Sequence, residues 1–151
     1  MEQLIYNYFT DDDFLRISNK IKLSEKTTSG EIRVAIKDHK HFSERKKTIR
    51  QLAEKEFYKL NMQATRDNTG ILLFMMLKER QFYILADKGI HEKVGDETWN
   101  KIRDQIQDKF KEGQFSEGIL WGIEHVGAVL TKHFPIKPDD VNEISNEVVI
   151  D

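Results

Sequence analysis

Two apolar runs, residues 70–77 and 81–86, stand on either side of Lys78, Glu79 and Arg80. Runs rich in Ile, Leu, Phe, Met and Tyr and bounded by polar turn residues read as strands. Three residues between them suffice only for a hairpin. Upstream, residues 31–37 alternate, with Ile32, Val34 and Ile36 facing one way and Arg33 and Lys37 the other. That period of two, with its β-branched residues, predicts a further strand.

The remaining apolar positions recur at helical spacing. Thr10 can cap a helix whose first turn carries Asp11, Asp12 and Asp13, where the helix dipole favours negative charge; Phe14, Ile17 and Ile21 form its stripe. Ser43 is placed to cap a second helix reaching about Leu60, with Ile49, Leu52, Ala53 and Phe57 on one face. Ile90 to Val94 reads as a short helical turn. Asp96 can cap a helix carrying Trp99, Ile102, Ile106 and Phe110, stopped by Gly113. A more apolar helix follows from Phe115 to Phe134; its glycines, Gly118, Gly122 and Gly127, allow close approach and predict packing on the sheet. Pro135 and Pro138 end it.

The order is thus helix, strand, helix, hairpin, helices. A strand joined to the next through a helix normally forms a right-handed parallel unit, which makes the first two strands parallel and the third antiparallel. Helices on both faces give the expected fold class: α/β, a three-layer α/β/α sandwich with a small mixed sheet. With 151 residues the chain is expected to form a single domain over residues 1–134, followed by an acidic tail over residues 135–151, a docked arm or a loose end.

Composition narrows the function. The chain carries 24 Lys and Arg against 26 Asp and Glu, so there is no global basic excess of the kind a nucleic-acid binder shows. It has no cysteine, which excludes disulfides, thiol catalysis and cysteine zinc sites. The first residues lack the basic and apolar regions of a signal peptide, and no apolar run approaches the ~20 residues of a membrane span. A cytoplasmic, soluble protein is the expectation.

The topology gathers polar residues at one end of the sheet. Glu31 opens the first strand, Asp67 and Asn68 precede the second, and Asp87 ends the third, which runs the opposite way. Close carboxylates repel one another unless a cation neutralises them, and oxygen ligands suit Ca²⁺, with Mg²⁺ the alternative. Gly70 and Gly89 flank the set. The same acids also suit turns and helix caps, so both readings stand on pattern alone.

At these residues the chain resembles the TPM domain family, small α/β/α modules of bacteria, plastids and animals. The resemblance rests on TTSGEIRVAI at the first strand, ATRDNTGILLFM at the second and RQFYILADKGIHEKVGDETW after the turn. It extends through IRDQIQDKFKEGQFSEGILWGIEHVGAVLTKHFP, and together these cover most of the chain. It implies an open mixed sheet between helices and divalent-metal binding, chiefly calcium, at the acidic sheet end, with Glu31, Asp67 and Asp87 carried over and Asn68 beside them. It also implies that some members act as phosphatases and others in assembling or repairing membrane complexes or modulating receptors.

Other constellations are weaker. His39 and His41 share a loop, and a structural zinc site needs four ligands. His91 lies near the acidic edge as a candidate proton donor, whereas His125 and His133 sit on a core-like helix. Ser24, Ser29 and Ser43 have no nucleophile-elbow context, and no phosphate-cradling glycine motif occurs. Phosphoryl transfer would call on Arg33, Arg66 or Lys88 as clamps around a metal-bound water. Trp99, Phe110, Phe115 and Trp121 fit an ordinary core, and Asp139, Asp140 and Glu143 a solvated tail. The expected function is a calcium-binding module that acts as a binding or assembly domain with a protein partner, and the alternative is a weak metal-dependent phosphatase using the same acids.

Overall fold

The computed structural model of the chain describes residues 4–137 and 148–150. Its elements run α1 (Asp11–Glu25), β1 (Glu31–Lys37), α2 (Ile49–Lys59), β2 (Gly70–Met76), β3 (Gln81–Ala86), α3 (Lys88–His91), α4 (Asp96–Lys111), α5 (Phe115–His133) and β4 (Val149–Ile150), with short 3₁₀ turns between some of them. The sheet order is β3-β2-β1-β4. β1 pairs parallel with β2 and with β4, and β2 pairs antiparallel with β3.

Alternating side chains send the two halves of each strand to different layers. Ile32, Val34, Ile36, Ile71, Leu73 and Phe82 join the larger core with α1, α4 and α5. Ala35, Leu72, Phe74 and Met76 join the smaller one with Leu52, Ala53 and Phe57 of α2. The result is the three-layer sandwich with a small mixed sheet.

Four details differ from the sequence reading. Ser43 lies in a 3₁₀ turn, Phe42–Glu44, and α2 begins later, where Thr48 and Gln51 form a capping box. Gly95, rather than Asp96, occupies the cap position of α4. The glycines of α5 serve helix neighbours more than the sheet: Gly118 faces Phe110, Gly122 faces Ile106 and then Leu73, and Gly127 faces Ser24 of α1. β1 has no solvent face, because α2 covers the side that carries Arg33 and Lys37. Arg33 is 1% exposed and Lys37 is paired with Glu56 at 3.0 Å.

The close of the chain adds a strand that alternation could not reveal. Val149 and Ile150 pair with Ala35 and Ile36, so two residues suffice to extend the sheet. Before it, Pro135 bridges to Thr28 and Ile136 N–H donates to Thr27 O. Pro138, Asp139, Asp140 and Glu143 lie outside the described residues.

Candidate functional site

The sheet end that carries the candidate acids is built by backbone register. Glu31 pairs with Gly70, and Asp87 N–H donates to Gly70 O at 2.9 Å as β3 ends. Glu31, Gly70 and Asp87 therefore form one row across three strands. By the alternation of the sheet, that row faces the α2 layer with Arg33, Ala35 and Leu72. Gly70 contributes no side chain between the two acids, whose backbones stand about two strand spacings apart, roughly 10 Å. The carbonyl of Met62 leans over that gap, 3.2 Å from where a Cβ on Gly70 would lie.

Each acid is held differently. Glu31 is buried at 4% exposure, and its N–H donates to Thr69 O at 3.0 Å. Asp87 caps the short α3: its Oδ1 accepts from Lys88 N–H at 2.8 Å, while its Oδ2 is buried with no hydrogen-bond partner. Asp67 and Asn68 lie in a tight turn in which Asn68 N–H donates to Thr65 O and Asn68 takes a left-handed φ of 55°. Asparagine tolerates that conformation better than most residues. The turn is tied down by Thr69, whose N–H donates to Thr65 Oγ1 and whose hydroxyl donates to Ser29 O.

This turn packs on the first turn of α3 at Gly89. A methyl group there would overlap the carbonyl oxygen of Asp67 and lie 2.5 Å from that of Asn68. Backbone oxygens from the loop before β2 and carboxylates from the strand ends thus share one corner of the fold.

The side chain of Asp67 turns away from that row. Its Oδ2 accepts from Lys137 Nζ at 3.1 Å and from Arg66 at 3.3 Å. The hydrogen bond from Lys137 is the main reason its carboxyl lies below the usual value; slight desolvation opposes, and the charges of Lys137 and Arg66 assist. Among the described residues, no group of three or more His, Asp or Glu side chains is poised to hold a metal ion. The structure brings the four candidate residues to one corner by backbone, and leaves Asp67 engaged with cations.

Three contributors escape sequence reasoning. Met62 offers only its backbone carbonyl, which residue identity cannot signal. Lys137 reaches Asp67 from 70 positions away. Glu25, at the end of α1, accepts from Ile32 N–H at 2.8 Å and from Arg33 at 2.6 Å. Its carboxylate takes the place of a strand along the outer edge of β1, and burial raises its pKa despite the charge of Arg33. Arg33 is therefore sealed beneath the row and cannot clamp a ligand from solvent.

The histidines divide as follows. The rings of His39 and His41 pack edge to face at 6.2 Å. His91 Nδ1 lies 3.2 Å from Asp96. His125 stacks on Trp121 and hydrogen-bonds its carbonyl. Trp99, Phe110 and Phe115 are core residues, and Trp121 packs against the core from its edge.

Residues 6–129 match the family model described as the TPM domain, and the chain belongs to that family. No curated protein matches it. Among solved structures it is similar to the BA42 protein of the psychrophilic bacterium Bizionia argentinensis. The identity is 34% and the TM-score 0.85, over 95% of this chain and 96% of that one. The fold also resembles the N-terminal domain of a P. gingivalis protein, at 16% identity and TM-score 0.68 over 84% and 79% of the two chains. It resembles the N-terminal domain of the cg2496 protein of Corynebacterium glutamicum at 11% identity and TM-score 0.57, over 91% and 82%. Among the described residues no helix is long and apolar enough to cross a membrane.

Proposed function

We propose that this TPM domain binds a divalent cation, calcium in preference to magnesium, at the corner formed by Glu31, Asp87 and the turn of Asp67 and Asn68, and that it works as an ion-dependent binding or assembly module. The observation that carries this reading is Asp87 Oδ2, a buried carboxylate oxygen with no hydrogen-bond partner. A buried polar atom of that kind calls for an explanation, and an ion is one of the few available. The same corner of the fold offers only hard oxygens: the buried carboxylate of Glu31 at one end of the row, the carbonyls of Asp67 and Asn68 beside Gly89, and that of Met62 beside Gly70. Calcium accepts six to eight such oxygens in irregular geometry, whereas magnesium demands a near-ideal octahedron. The donors here come from separate segments, which suits the less exacting ion.

Bound there, a divalent cation would supply charge neutralisation and fix the Asp67 turn against α3. Phosphoryl transfer at the same place would need free cationic groups as well. Of the three candidate clamps, Arg33 is buried against Glu25 and Arg66 is paired with Asp67, which leaves only Lys88, exposed on α3. One cation is a poor clamp for a transferring phosphoryl group, so the binding reading is the one the geometry favours. Amide NMR during a calcium titration tests it. Saturable shifts at Glu31, Asp67, Asn68 and Asp87, abolished by Asp87→Asn, are expected. A spectrum that calcium leaves unchanged at those four residues ends the proposal.

A further inference from the structure

At the opposite end of β1, about 20 Å away by strand rise, the chain presents a cationic surface around one exposed aromatic ring. Phe42 is 80% exposed, the most open large apolar side chain among the described residues. Arg45 lies over its ring at 4.5 Å. Lys46 and Lys47 follow on the same exposed loop, and Lys78 and Arg80 stand exposed on the hairpin turn between β2 and β3.

The loop and the hairpin turn form one surface. Lys78 N–H donates to Asp38 O at 2.9 Å, and Lys40 N–H donates to Glu79 Oε1 at 3.2 Å. The acids nearby are hydrogen-bonded within the fold, and Glu44 alone of them is ion-paired. Asp38 is buried and accepts from Ile5 N–H at 2.7 Å. Glu44 is buried and paired with Lys55 at 2.7 Å. Glu79 is the acceptor for Lys40. Lys40 Nζ is turned inward to the carbonyl of Lys47. Of the ion pairs among the described residues, none involves Arg45, Lys46, Lys47, Lys78 or Arg80. Five exposed cations thus share this end of the fold with Phe42 on a protein whose net charge is -2.

We propose that this end of the domain docks on an anionic phospholipid surface, with Phe42 entering the headgroup layer and Arg45, Lys46, Lys47, Lys78 and Arg80 facing lipid phosphates and carboxylates. A projecting ring on a cationic end of the fold suits an interface whose outer layer is charged and whose inner layer is apolar. A single-stranded nucleic acid would also stack a base on the ring, and the DNA arm of the test below separates it from a lipid surface. Docked this way, the corner with Glu31 and Asp87 points away from the lipid, open to other partners.

The test is co-sedimentation of the full chain with vesicles of phosphatidylserine and phosphatidylcholine, compared with phosphatidylcholine alone, in the presence of chelator so that the acidic corner plays no part. Binding to the mixed vesicles that high salt releases is expected. Each cation near such a surface is worth about fivefold in partitioning, so Lys46→Gln with Lys47→Gln should weaken binding about 25-fold. Phe42→Ser should weaken it about tenfold. Lys101→Gln, halfway along α4, should leave it unchanged. All these positions are exposed, so the variants keep the fold. Equal pelleting with both vesicle types, or Lys46, Lys47 and Phe42 variants that pellet like the parent, overturns the proposal. So does retention on heparin or DNA with no binding to vesicles.

Discussion

The ammonium of Lys137 lies 3.1 Å from Oδ2 of Asp67, so the segment after α5 closes on the turn before β2. This contact occupies the most exposed of the four candidate residues. A divalent ion that recruits Asp67 must displace the lysine. Lys137→Ala is therefore expected to tighten calcium binding a few-fold, the scale of one exposed ion pair. Calorimetry of both proteins measures it; equal or weaker affinity in the variant would remove the Asp67 carboxylate from the ligand set and leave only its carbonyl there. The same variant should bring the Asp67 carboxyl back toward its ordinary value. A depressed folded-state value gives stability that is present above the unfolded pKa and lost as pH falls through the folded one. The acid-side loss of stability assigned to Asp67 should shrink when Lys137 is removed.

Gly89 is required by contact rather than by backbone dihedral. A Cβ there would meet two carbonyl oxygens of the Asp67–Asn68 turn, and backbone cannot yield as a flexible side chain can. Gly89→Ala should cost about 1–3 kcal/mol, and for a domain of this size that lowers the melting temperature by several degrees. Because the turn must move, calcium-induced shifts at Asn68 should be lost along with stability. A variant with parental stability and parental calcium response would show that the turn and α3 are not in contact in solution.

Glu25 and Arg33 make a different kind of test. Glu25→Gln removes the carboxylate that Arg33 holds beneath the sheet, and breaking such a buried pair should cost about 3–5 kcal/mol at neutral pH. The pH dependence has a definite sign. Burial raises the folded-state pKa of Glu25. A raised value gives a contribution fully present below the unfolded pKa and lost as pH rises through the folded one. The stability advantage of the parent over Glu25→Gln should therefore grow on acidification, and level off once pH is below the unfolded pKa of glutamate. Urea unfolding of both proteins across that range reads it directly. An advantage that shrinks on acidification would mean that the charge of Arg33 outweighs desolvation at Glu25.

How far these features were legible depends on whether the signal is local. The hairpin was readable because residues 70–77 and 81–86 announce themselves by apolar runs, and the right-handed crossover rule then fixed strand directions. That logic also carried Glu31, Asp67, Asn68 and Asp87 to one sheet end. Where their side chains point was not legible. Asp67 is drawn outward by Lys137, and the oxygen over Gly70 belongs to Met62, whose side chain advertises only a core. Arg33 looked exposed because alternation normally separates core from solvent. α2 covers that face, and a helix-end glutamate neutralises the arginine from a distance in sequence that no pattern marks. The strand of Val149 and Ile150 is too short to have a period at all.

The last expectation concerns the seam between α4 and α5, on which the larger core depends. A Cβ at Gly122 would stand 2.5 Å from Cδ1 of Ile106, with Leu73 of the sheet next at 3.7 Å. Gly122→Ala gains about 1 kcal/mol of helix propensity but sets a methyl group against a fully buried isoleucine, an overpacking cost of about 1–3 kcal/mol. Ile106→Val removes the atom in conflict and alone costs about 0.5–1.5 kcal/mol as a small cavity. Each substitution should therefore relieve the other. In a double-mutant cycle Ile106→Val should cost at least about 0.5 kcal/mol less in the Gly122→Ala background than alone. Simple additivity would show that the seam has room at Gly122, and that its glycine serves something other than the close approach of the two helices.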